Sequence, residues 1–170
     1  ILNGSISRGR WVGDLTTIEE TYVKGRSDYH LKLWSEWKQV KDLLKGVLGT
    51  LPAAWLSGSF FTDKAQPSDI DCVFIVDQRT LSKVTDMQHL AFLEIVSKSQ
   101  VRRYLNLRVD SYIMEWRPWQ GVSAGRELDS ILRRRGYWDE FWARMKDDDP
   151  TIAALPRRGY LEVLIDDYQQ

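Results

Sequence analysis

The sequence predicts an α+β fold, a small mixed β-sheet flanked by helices. Three observations carry it. Residues 70–76 form a nearly continuous apolar run, as a strand buried on both faces requires. Leu33, Trp37, Val40, Leu44 and Val47 recur at steps of three or four, the spacing of one helical face. Strand-like and helix-like segments are interspersed without a repeat or a linker, so one domain over residues 1–170 is expected.

Each element follows from local chemistry. Residues 1–14 hold Gly4, Gly9 and Gly13 with Ser5 and Ser7 and read as an irregular arm. A short helix over 16–23, capped by Thr16 or Thr17 with Glu19 and Glu20 in its first turn, completes an N-terminal part of residues 1–26. The core, 27–170, opens with the helix bearing the Leu33 stripe, capped by Ser27 or Asp28 and ended by Gly49. Residues 53–56 read as a short strand running into Gly58-Ser59. A polar loop then leads past Pro67 to the central strand. Residues 81–98 are expected as one helix, with Val84, Met87, Ala91 and Ile95 along one side. Residues 107–116 alternate as a strand, broken by Pro118 and Gly121. Helices over 126–135 and 137–146, a solvated turn at 147–150 and a strand at 160–165 close the pattern.

Composition narrows the chemistry. Lysine and arginine number 24, aspartate and glutamate 24, which gives no support for a broad nucleic-acid-binding surface. The single cysteine, Cys72, excludes an internal disulfide and a multi-cysteine metal site. His30 and His89 are too few and too far apart for a zinc centre. A metal here would sit on oxygen ligands, as Mg²⁺ or Mn²⁺ does. No apolar run approaches the ~20 residues of a membrane span, and no secretory leader is apparent, so a cytoplasmic setting is expected.

Against that background, a few polar residues stand out. Gly58 follows a strand, where glycine permits a tight turn and close approach of a ligand to the main chain. The backbone N–H groups there, with the Ser59 hydroxyl, suit phosphate oxygens. Asp69 and Asp71 sit at i and i+2 at the head of the central strand, so both carboxylates face one side. Their repulsion calls for a cation. An Asx turn at 67–69 would explain Asp69 but not Asp71, which begins the buried run. Asp110 lies inside the 107–116 strand, where an aspartate is disfavoured without a partner. The alternative is an edge-strand residue facing water.

Gly58-Ser59, nine residues, then Asp69-x-Asp71 and a later strand aspartate resemble the signature of the polymerase beta-like nucleotidyltransferase superfamily. The block Trp55 to Lys64, the stretch Pro67 to Asp71, and the flanks Thr17 to Glu20 and Arg158 to Val163 look like small bacterial stand-alone members of it. The resemblance implies a nucleotidyltransferase fold and transfer of a nucleoside monophosphate from an NTP, such as ATP, to a hydroxyl acceptor. By position, Asp69, Asp71 and Asp110 would be catalytic metal ligands for Mg²⁺ or Mn²⁺, with Asp110 also a base. Gly58 and Ser59 would hold the β- and γ-phosphates. The acceptor would be RNA such as a tRNA 3′ end, a protein or a small molecule. By analogy with such members, a toxin-like or phage-defence role, with a toxin–antitoxin partner protein, is a further expectation. The alternative is a non-catalytic nucleotide-binding module or a partner-controlled unit.

The remaining residues carry two readings each. Lys64 either touches the triphosphate or is a solvated loop lysine, and Asp63 reads as a loop residue. Arg102, Arg103 and Arg108, and Arg133-Arg134-Arg135, are solvated faces or flank the cleft. The eight tryptophans, among them the pairs Trp34/Trp37, Trp116/Trp119 and Trp138/Trp142, either pack the interior or stack on a base. Cys72 alternates away from the aspartates and is expected as a buried apolar residue.

Overall fold

Among the described residues, five strands form one mixed sheet. The computed structural model describes residues 6–118 and 125–168, the side chains of 126–128 excepted. The strands are β1 (Gly9–Asp14), β2 (Ala53–Ser57), β3 (Ile70–Asp77), β4 (Val109–Trp116) and β5 (Gly159–Leu164), in spatial order β1-β5-β2-β3-β4. The β1–β5 and β3–β4 pairs are parallel; β2 runs antiparallel to both β5 and β3. The fold is therefore α+β with a mixed sheet and flanking helices, the expected class.

The helices lie on both faces. The long helix α2 (Asp28–Leu48) buries Leu33, Trp37, Val40 and Leu44 completely, as their spacing predicts. Leu48 takes the last inward place, and Val47 is only partly buried. Gly49, at φ +78°, ends the helix and donates its N–H to the Lys45 carbonyl at 2.7 Å. One face of the sheet, formed by Ala54, Leu56, Cys72, Phe74, Leu161 and their neighbours, packs under α2 and α4 (Met87–Ser97). Trp34, Trp37 and Phe74 stack there, with ring centroids 4.5 Å and 6.4 Å apart. On the other face Trp55, Val73, Ile75, Met114 and Tyr160 pack against Trp138 and Trp142 of α6 (Arg126–Ala143).

Several expectations need correction. The arm contains the edge strand β1, whose Trp11 and Val12 are half exposed. Its order comes from backbone pairing with β5, which leaves no apolar alternation to read. The short helix at 16–23 is α1 (Leu15–Ile18) followed by a π-helical turn over Glu19–Val23. Its cap is Asp14, which accepts from the Thr17 amide at 2.7 Å, and not a threonine. The helix expected at 81–98 begins only at Met87, as α4, because Asp86 caps it by accepting from the Gln88 and His89 amides; residues before it form a separate one-turn helix, α3 (Gln78–Leu81). Another short helix, α5 (Val101–Leu105), precedes β4 and stops at Asn106 in a left-handed conformation. The two helices expected at 126–146 are the single α6, which runs through Gly136. An interior glycine costs about 1 kcal/mol, and the packing of Trp138 and Trp142 on the sheet outweighs it. The acidic turn ends in Asp149, which caps a one-turn helix α7 (Pro150–Ala153). Among the described residues no helix is long and apolar enough to cross a membrane.

Candidate functional site

The strand register brings the singled-out residues together. Asp71 on β3 stands opposite Ser57 on β2 and opposite Asp110 on β4. Asp69, one residue before β3, precedes Asp71 by two and so shares its side. By the same alternation Asp71, Asp110 and Ser57 lie on the face covered by α6, at the end where β2 stops and β3 and β4 begin. Cys72 points to the opposite face and is fully buried, as expected. Burial pushes its thiol well above its ordinary range.

Gly58 is required by geometry. Its φ is +91°, and a Cβ placed there would lie 1.6 Å from Asp71 Oδ2 and 2.7 Å from Asp71 Cγ. The Asp71 carboxylate therefore rests on the bare glycine backbone. Ser59 follows in a 3₁₀ turn, Ser59–Phe61. Its carbonyl accepts from the Thr62 amide at 3.2 Å and the Thr62 hydroxyl at 2.7 Å. Arg26 Nη2 donates to the carbonyls of Phe60 (2.8 Å) and Thr62 (2.9 Å), which pins the turn from outside. Lys64 is exposed on the loop that follows, and among the described residues its ammonium makes no hydrogen bond or ion pair.

Electrostatics mark the same point. Burial, and then the charges of Asp69 and Asp110, raise the Asp71 carboxyl from 3.8 to about 6. Arg158 and Lys146 oppose that rise. Asp69 accepts from the Ser68 hydroxyl at 3.0 Å. Asp110 accepts from the hydroxyl of Ser99, whose backbone is left-handed (φ +55°) and whose amide donates to Ser111 at 3.0 Å. Among the described residues no three His, Cys, Asp or Glu side chains already form a metal cage. Hollows of about 370, 420 and 490 Å³ open elsewhere on the surface, and none is lined by these carboxylates.

The other candidates divide between ion pairs, ring contacts and solvent. Arg108 is closed in a two-pronged pair with Glu36, at 2.7 Å and 3.0 Å, while Arg102 and Arg103 are exposed. Arg133 pairs with Asp129, Arg134 with Glu115, and Arg135 lies over the Trp55 ring at 5.3 Å. Trp116 contacts Tyr168 at the far end of β4. It lies six strand positions from Asp110, about 20 Å, too far to stack a base held there. Trp119 lies outside the described residues.

Sequence reasoning missed Arg158 as a site residue. It stands just before β5, and its Nη2 donates to Ser57 Oγ at 2.6 Å. Its only local signal is a charged residue before an apolar strand, within the flank 158–163. The contact with Ser57 spans 101 positions, and no periodicity reports it.

A family model described as "Family of unknown function (DUF6932)" matches residues 2–164. The chain belongs to the DUF6932 family. The matched region contains all three carboxylates, the Gly58-Ser59 turn and Arg158. No curated protein and no solved structure matches the chain.

Proposed function

We propose that this DUF6932 chain is a nucleotidyltransferase, in fold and activity, that moves a nucleoside monophosphate from an NTP to a hydroxyl acceptor. The observation that carries the reading is the seat of Asp71. A partly buried carboxylate lies on a glycine that admits no side chain, opposite a second aspartate in register and beside a third. Packing gains nothing from three repelling carboxylates at the end of an apolar strand pair. A hard divalent cation and a polyanionic substrate account for them. The donor set fits such an ion, since Asp69, Asp71 and Asp110 offer only oxygen. Bound by these three, Mg²⁺ or Mn²⁺ would supply charge neutralisation for the triphosphate and favour the ionised acceptor.

The chain's own groups then have distinct tasks. The Gly58-Ser59 backbone and the Ser59 hydroxyl hold the β- and γ-phosphates, with Lys64 within the same loop. Asp110 takes the proton of the acceptor hydroxyl. The acceptor oxygen bonds to the α-phosphorus as the bond from that phosphorus to the bridging oxygen breaks, and pyrophosphate leaves. The acceptor is a hydroxyl of RNA, of a protein or of a small molecule. A role in toxin–antitoxin pairing or phage defence would follow from the acceptor's identity.

The test is incubation of the chain with each α-labelled NTP, Mg²⁺, total RNA and cell lysate. A labelled product that disappears with EDTA and with Asp71→Asn is expected. Tight NTP binding without transfer to any pool would overturn the reading in favour of a non-catalytic nucleotide-binding module.

A further inference from the structure

Arg158 is partly buried at the edge of the carboxylate group, and its guanidinium is only partly used. Nε donates to the Trp142 carbonyl at 3.2 Å and Nη2 to Ser57 Oγ at 2.6 Å. A guanidinium carries five N–H donors, so three remain. Among the described residues it forms no salt bridge within 4 Å, although it feels the charge of Asp71. Arg108 is the contrast, since Glu36 meets it with both carboxylate oxygens. A cation drawn out of water without an anion against it is costly, and an arriving anion offsets that cost.

The position is also fixed in advance. Gly159 follows Arg158, and a Cβ on it would lie 1.8 Å from the Ser7 carbonyl oxygen, so the chain is clamped there against the N-terminal segment. Trp142, whose carbonyl Arg158 holds, is buried on the sheet. Ser57 is buried too and leads directly into Gly58. The guanidinium thus stands beside both Asp71 and the turn, rigid on two sides. Its planar fork matches phosphate oxygens, which a lysine meets only as a point charge.

We propose that Arg158 is a phosphate-contacting residue of this site, donating to a terminal phosphate of the bound triphosphate and then to the leaving pyrophosphate. This rests on the nucleotidyl-transfer reading above. The competing role is a buttress only, tying the end of α6 to β2.

Calorimetric titration of the full chain with Mg²⁺-tripolyphosphate separates the two, using the parent, Arg158→Gln and Arg158→Lys, with thermal melts of each. Arg158→Gln is expected to weaken binding at least about tenfold, the loss of a charge-assisted phosphate contact. Arg158→Lys should recover only part of it, since it restores charge but not the fork. A parent that binds no tripolyphosphate overturns the inference, as does an Arg158→Gln variant that binds as tightly as the parent. Should Arg158→Gln fail to fold, an Arg158→Lys affinity equal to the parent's is the overturning result. The labelled-NTP assay keeps the two readings apart. Transfer by Arg158→Gln with unchanged KM sinks the Arg158 assignment alone. Arg158-dependent tripolyphosphate binding without any transfer sinks the reaction and leaves the phosphate site standing.

Discussion

The face of the sheet beneath α2 and the face beneath α6 are made from alternate residues of the same strands. On β3, Ile70, Cys72, Phe74 and Val76 go one way, and Asp71, Val73 and Ile75 the other. The α2 face is closed along its length by Trp37, Leu44 and their neighbours. Its buried polar atom on β4, Ser111 Oγ, donates to the Val96 carbonyl at 2.9 Å. On the α6 face Trp55, Met114 and Trp142 form an apolar centre, but the end beside it carries Ser57, Asp71 and Asp110. A one-residue shift of register would exchange the two faces, so alternation alone separates the closed apolar face from the one that carries the carboxylates.

The largest expected effect lies on the closed face. Trp37→Ala should cost about 3–5 kcal/mol, the usual range for emptying a large aromatic site, measured as a fall in denaturation midpoint at constant slope. A loss below 1 kcal/mol would mean that α2 does not depend on this contact. On the open face, Asp71→Asn should lower labelled-NTP transfer by roughly 10²–10³-fold, as does removal of one preorganised electrostatic group. Transfer at the parental rate would show that the carboxylates serve something else.

The same substitution sharpens the comparison in the opposite sense for stability. Asp71 holds its proton up to about pH 6 in the fold but only to 3.8 as an ordinary carboxyl. The folded state therefore binds more protons between those values, and stability falls as pH rises through them. Above pH 6 the penalty levels at roughly 3 kcal/mol. In metal-free buffer, Asp71→Asn should stabilise the chain by up to about that amount at pH 8 and by little at pH 4. Equal gains at both pH values would refute the origin in charge. The smallest effect is on exposed α6: Arg133→Ala breaks a solvated pair with Asp129 and should change stability by less than about 0.5 kcal/mol.

The legible parts were those where one local rule suffices. The β3 run, the α2 stripe and the Gly49 stop each needed only spacing and chain punctuation. The Asp69/Asp71 pair followed from strand periodicity, and their meeting with Asp110 from one assumed neighbour relation between β3 and β4, which the register bears out. Strand β1 was hidden because its side chains face water and its partners lie about 150 residues away in sequence. The cap at Asp86 was masked by an apolar period that continued through Val84 and Met87, though Met87 is exposed. The part of Arg158 could not be read because it depends on β5 lying beside β2, a fact of topology.

That topology also bears on assembly during synthesis. Among the described strands β5 comes latest in chain order, yet it is interior, with β1 on one side and β2 on the other. A growing chain that has delivered β1 through β4 holds a three-stranded ladder of β2, β3 and β4 with the inner edge of β2 bare, and β1 without a partner. Such edges invite pairing with other chains, and the contacts that close them span long loops and form slowly. The carboxylates are thus translated well before the strand that brings Arg158 to them. A product stalled before β5 would be prone to pair its bare edges with other chains.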